Sequence, residues 1–208
     1  MRITGLLFAC LLSLYCVAQD MTSVFGNMPN NMILLVDSIQ RQDLMDLYKD
    51  GKTATIKDKL NEAVTMTSFN DDFLELKSGN SSIQIALLNL VNNSKIVLLI
   101  QTVCAPVCDS QLKFFTQDWE PLETSDFIQP KDFSWFIKDN TDTNSEDFIN
   151  AVKLLDMNLM QYSFNPENKT LTQTYTTPQY LSKEDKKNIE PYLKLEPKIF
   201  EWKKMRFD

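Results

Sequence analysis

Apolar and polar positions alternate with a different period in successive parts of the chain, and each change of period marks a change of structure. The first apolar block is continuous, running from Gly5 to Ala18 (GLLFACLLSLYCVA) behind a single basic residue, Arg2. It is too short to cross a bilayer and too close to the start to be a core helix, so residues 1–18 read as a signal peptide. Cys16 and Ala18 occupy the small-residue positions of a cleavage site, which places the cut after Ala18. A lipoprotein signal acylated at Cys16 or Cys10 is the rival reading. Tyr15 is too bulky a neighbour for Cys16, and the apolar run ahead of Cys10 is too short. Residues 19–208 hold no further apolar run of spanning length and read as a single domain.

A polar lead from Gln19 to Asn31 gives way at Met32 to helical spacing, with Ile39, Leu44, Leu47 and Tyr48 recurring at three- and four-residue steps before the stop at Asp50-Gly51. From Lys52 the period is two. Thr53–Ile56, Ala63–Thr67, Phe73–Leu76 and Ile83–Leu87 are short, rich in β-branched or aromatic residues, and separated by Asn, Asp, Gly and Ser. Asn70-Asp71-Asp72 and Ser78-Gly79-Asn80 suit hairpin turns, because these residues tolerate positive φ or bond their own backbone. Ile96–Ile100 is apolar at every position, which predicts a central strand covered on both faces, with Gln111–Thr116 as its antiparallel neighbour.

The stretch from Trp119 to Asn144 has no period and reads as a loop with pinned aromatics. A helix is predicted from Glu146 to about Asp156, capped by Asn144 or Ser145, with Phe148, Val152 and Leu155 as its buried stripe. Met160, Tyr162 and Phe164 alternate up to the turn at 165–168 and Leu171–Thr176 alternates away from it, a β-hairpin. Ser182-Lys183-Glu184-Asp185 has the spacing of a capping box for a short helix ending near Pro191, and Ile199–Phe207 suits a last strand. Hairpins dominate and strands do not alternate with helices. The fold class is therefore α+β: a mostly antiparallel β-sheet built of hairpins with a few helices packed on one face.

Charge narrows the partners. The chain carries 21 basic residues, one of them Arg2 in the leader, against 28 acidic ones. Such a balance repels polyphosphate, and the late lysines from Lys183 to Lys204 are interspersed with acids, so no nucleic acid is expected as a partner. The chain has no histidine, which removes Ser-His-Asp and Cys-His catalysis and the usual mixed zinc sites. With only four glycines, no phosphate-cradling loop is present either.

Two cysteines lie beyond the leader, Cys104 and Cys108, in the segment Val103-Cys104-Ala105-Pro106-Val107-Cys108-Asp109 between two strands. In an oxidising compartment the simpler reading is a structural disulfide pinning a hairpin. A redox-active dithiol is the sharper reading, but the thioredoxin-type motif has two intervening residues at a helix start, and three stand here. The acidic stretch Asp139–Asp147 offers oxygen ligands yet matches no register of a Ca²⁺-binding loop, so no metal or cofactor is expected. Trp119, Phe127, Phe133, Trp135 and Phe136 are candidate binding residues that could line a groove, with packing of the long loop as their plainer role.

The order of these segments carries a resemblance. Asp43-Leu44-Met45-Asp46-Leu47-Tyr48, Lys52–Ile56, Phe73–Leu76, Ile100–Pro106, Phe115–Leu122 with its Asp118-Trp119-Glu120-Pro121-Leu122 box, and Leu181–Asp185 together resemble domain-of-unknown-function family 3256, exported proteins of Bacteroidetes. That resemblance implies a cell-envelope setting in a Gram-negative bacterium, with no established activity and no functional residues to transfer. The expectation is an exported protein, periplasmic or associated with the cell surface. It is read as a non-enzymatic binding or accessory protein whose partner is an envelope protein, a peptide or a glycan. A carboxylate- or cysteine-dependent envelope enzyme, using Cys104 and Cys108 in thiol redox chemistry, is the alternative.

Overall fold

In the computed structural model, which describes residues 19–208, the period-two region becomes a seven-stranded antiparallel sheet whose strand order is the order along the chain. The leader read from residues 1–18 lies outside the described residues. The strands are β1 (Thr55–Lys57), β2 (Ala63–Phe69), β3 (Phe73–Ser78), β4 (Ser81–Asn89), β5 (Lys95–Cys104), β6 (Cys108–Thr116) and β7 (Pro121–Leu122). Gly79 makes the tight β3–β4 turn possible with φ of +52°, a region that other residues enter only at a cost. β4 and β5 pair over their full length, from Ser81 opposite Val103 to Asn89 opposite Lys95, and β5 pairs equally fully with β6.

The unbroken apolar run in β5 has the cause expected of it. Val97 and Leu99 point into one buried cluster, while Ile96, Leu98 and Ile100 point into another on the opposite face. Because both faces are dry, alternation disappears from the sequence.

Two helices cover the first face, α1 (Met21–Gly26) and α2 (Ser38–Lys49). α1 falls inside the lead expected to be irregular. Met21, Val24, Phe25 and Met28 are all buried, and their i, i+3, i+4, i+7 spacing is a complete helical stripe hidden among polar neighbours. Asp20 caps this helix by accepting from the Ser23 amide at 2.8 Å. α2 starts with a capping box: Asp37 accepts from the Gln40 amide and the Gln40 side chain accepts from the Asp37 amide, each at 3.0 Å. Ile39, expected on the buried stripe, is 73% exposed, because the face turned inward is Arg41, Leu44 and Met45.

Arg41 is the unexpected member of that face. Its guanidinium is buried and donates to the carbonyl oxygens of Gly26, Met28 and Val36 and to Asn30 Oδ1, so one side chain gathers the backbone of the whole 26–36 connection onto α2. Burial pulls its pKa below the usual arginine range, with nearby Asp37 pulling the other way.

The second face is covered by another sheet. β8 (Met160–Asn165), β9 (Thr170–Tyr175), β10 (Lys198–Lys203) and β11 (Arg206–Phe207) lie in the order β11-β10-β9-β8. The single last strand expected from Ile199 to Phe207 is a hairpin, turned at Lys204 and Met205 with φ of +49° and +66°. Short helices fill the connections: α3 (Thr124–Phe127), α4 (Glu146–Val152), α5 (Thr177–Tyr180) and α6 (Lys183–Ile189). Ser145 and Ser182 cap α4 and α6 as expected, although α4 stops one turn early. Among the described residues no helix is long and apolar enough to cross a membrane.

The two sheets are also joined by polar bonds. The amides of Met160, Tyr162 and Phe164, on the side of β8 away from β9, donate to Asp109 Oδ1, Ser110 Oγ and Gln84 Oε1 of the large sheet at 2.9, 3.0 and 2.9 Å. The long loop is held in the same manner. Gln173, fully buried, accepts from the Lys131 amide at 2.9 Å and donates to the Lys131 carbonyl at 2.6 Å, imitating a strand pair with one side chain.

Replacing Arg41 by Met keeps the volume near and removes every one of its donors. Arg41→Met is expected to lower unfolding stability by about 2–3 kcal/mol, the cost of orphaning buried carbonyls. Urea denaturation followed by tryptophan fluorescence measures it.

Candidate functional site

The expected disulfide is formed. Cys104 and Cys108 face one another across the β5–β6 hairpin with their sulfurs 2.01 Å apart. The turn between them contains a cis Ala105–Pro106 peptide and closes with the Ala105 amide donating to the Val107 carbonyl at 3.1 Å. Its base is tied on both sides. The Cys104 amide donates to the Asn80 carbonyl at 2.9 Å, and the Thr176 hydroxyl donates to the Cys108 carbonyl at 2.7 Å.

The five candidate aromatics do not form one surface. Trp119 lies on the helix side of the large sheet, 3% exposed, with its indole N–H donating to the Val24 carbonyl at 2.9 Å. Phe127, Phe133, Trp135 and Phe136 pack on the opposite side. Phe127 stacks on Phe114 at 4.9 Å, Phe136 stacks on Tyr175 at 5.4 Å, and Trp135 meets Phe136 edge-on at 4.9 Å with the Lys194 ammonium 5.5 Å from its ring. Phe133 opens onto a hollow, beside Tyr175 at 5.6 Å.

That hollow, about 300 Å³, is lined by Phe133, Tyr175, Val152, Leu155 and Met157, together with the polar Asp156 and Asn158. A second, about 240 Å³, lies against the disulfide turn and is lined by Val103, Pro106, Val107, Leu159 and Tyr180, with Asp109 beside them. Met157 lines both, so the two hollows adjoin one another between the Cys104–Cys108 turn and Phe133 and are together called the groove. Val103 and Tyr180 are 56% and 47% exposed in it, a large apolar display next to a covalently pinned turn. The segment that forms its floor, Leu155 to Leu159, gave no signal beyond isolated apolar residues, because its neighbours come from 50 residues away in β5 and β6.

Burial favours the neutral form of both phenols in the small sheet. Tyr162 is pushed up to about 12, first by burial and then by the negative charge of Asp109, and burial raises Tyr175 as well.

A family model described as a protein of unknown function (DUF3256) matches residues 13–207. The chain belongs to this family. A solved structure of a domain of an uncharacterized protein from Porphyromonas gingivalis W83 superimposes on it with a TM-score of 0.81 at 26% sequence identity, covering 92% of this chain and 98% of that one. Among curated proteins none matches the chain. The Asp118–Leu122 segment that carries the resemblance has a physical role in this fold. The Trp119 amide donates to the Thr116 carbonyl at 3.0 Å and the Thr116 amide to the Glu120 carbonyl at 2.9 Å, a turn that holds Trp119 at φ of +65° and aims its indole at α1.

Two outcomes follow for this region. The five-residue loop closed by the disulfide contributes about 2 kcal/mol on the chain-entropy account, so Cys104→Ser with Cys108→Ser is expected to lower stability by that amount, read by denaturant titration. The folded-state pKa of Tyr162 lies above its unfolded value of 10.0, so its contribution is full below pH 10 and is lost as pH rises towards 12. Stability measured from pH 8.5 upwards should therefore fall less steeply in Tyr162→Phe than in the parent.

Proposed function

We propose that this DUF3256 protein is exported to the cell envelope and acts there as a non-enzymatic binding or accessory protein, taking an extended polypeptide segment in the groove between the disulfide turn and Phe133. The observation that carries the reading is the pair of hollows meeting at Met157, with Val103 and Tyr180 standing open to water. Apolar area left exposed beside rigid structure is stabilised when covered, by about 25 cal/mol per Å². Rigidity lowers what binding costs in ordering, and here it comes from the Cys104–Cys108 bridge and the Thr176 bond at the hairpin base.

Two features select the occupant. The two adjoining hollows are open rather than enclosed, which suits a chain more than a compact metabolite. A carboxylate accompanies each hollow, Asp109 at one and Asp156 at the other, so a segment of apolar side chains with a basic residue is complementary. A disulfide in a surface hairpin suits an oxidising compartment and supports the exported setting.

Site-specific photo-crosslinking in the native cell tests this. A photoreactive phenylalanine in place of Met157 is expected to capture one defined polypeptide in the envelope fraction, and Tyr180→Asp should abolish the adduct. The same probe in place of Val91, 83% exposed at the opposite end of the β4–β5 hairpin, should capture nothing. Equal labelling from both positions, or adducts confined to the cytoplasmic fraction, would sink the reading.

A further inference from the structure

A further hollow, about 520 Å³, lies on the other side of α4, between it and α6. α4 is thus a shared wall. Val152, at the end of α4, lines the groove with Leu155 beyond it, whereas Asp147 and Asn150 on α4 line this second hollow.

Its lining repeats itself. Asp147 and Asn150 on α4 stand three residues apart, and Asp185 and Asn188 on α6 stand three residues apart, so each helix presents one carboxylate and one carboxamide to the same space. Tyr192, held edge-on against Phe148 at 5.5 Å, supplies an aromatic wall, and Lys187 stands among the acids. These side chains retain free bonding capacity. Asp185 uses Oδ2 to accept from Ser182 Oγ at 2.7 Å, Asn150 accepts only from the exposed Lys153, and among the described residues Asp147 and Asn188 have no protein partner.

We infer that this hollow is a saccharide-binding subsite. A sugar hydroxyl both donates and accepts. A carboxylate and a carboxamide three residues apart on one helix offer acceptors and donors to the same space, so each Asp/Asn pair can meet sugar hydroxyls in either sense. The apolar C–H face of a pyranose ring finds its counterpart in Tyr192. The volume lies in the range of small-ligand sites and holds one or two rings. A hard cation is the poorer fit, because such ions take about six to eight oxygen ligands and only two carboxylates converge, beside an ammonium.

The test is a titration of the ¹⁵N-labelled protein, residues 19–208, with N-acetylglucosamine and with galactose, each followed by NMR, with Ca²⁺ and free arginine titrated separately. At least one of the two sugars should shift amides around residues 147–151 and 185–192. Asn150→Asp and Asn188→Asp keep side-chain shape while removing the amide donors, and each should weaken that binding at least tenfold with the melting temperature unchanged. Met157→Glu, in the groove, should leave the titration as it was. The inference is overturned if neither sugar shifts these amides, if both Asn variants bind as the parent does, or if only Ca²⁺ or arginine perturbs the hollow.

Discussion

Three backbone amides decide the architecture. Met160, Tyr162 and Phe164 present their N–H groups on the side of β8 where no strand follows, and side chains of the large sheet accept all three. Left unpaired and buried, each would cost about 1–3 kcal/mol. Their acceptors are themselves held: Ser110 Oγ lies 2.8 Å from Thr102 Oγ1, and Gln84 donates to Glu75 at 3.2 Å. The small sheet is therefore fixed in one position over β4 to β6 by directional bonds, and the greasy contact between the sheets fills in around them. Everything that borders the groove inherits that position, because Met157 and Leu159 lead into β8 and Tyr180 follows β9.

Local structure was legible where one residue type has one physical use. The apolar run of β5, the Asx and Gly turns of the large sheet, and the serine caps of α4 and α6 all follow from short-range rules. α1 is hidden in the sequence although Met21, Val24 and Phe25 form its buried stripe, since a lead rich in Asp, Thr, Ser and Asn reads as polar on average. Spacing and hydropathy together place Ile39 inward and arginine outward. The structure reverses that order by giving Arg41 four acceptors.

The second sheet shows a different limit. Alternation in Met160–Phe164 and Leu171–Tyr175 says that these strands have one dry face, and it is silent on what dries it. Gln84 and Ser110 look like ordinary outward positions of an alternating strand, yet they are the acceptors that seat the second sheet. The disulfide was readable from cysteine spacing and setting. The groove was not, because Val103, Met157, Tyr180 and Phe133 are brought together by that seating alone. Trp119, the most conspicuous aromatic in the chain, turned out to serve α1 through a single indole bond.

The neighbour-to-neighbour order of β1 to β7 has a consequence for how the chain reaches this state. Each hairpin of that meander closes over a handful of residues, so it can assemble progressively with little loop entropy to overcome. The small sheet cannot begin until residues 160–207 are present, and until then Ile96, Leu98 and Ile100 lack the β8–β11 part of their cluster. A ribosome or a translocation channel therefore delivers this molecule with part of that apolar face bare. That interval, rather than the finished fold, is when a holding chaperone has most to protect.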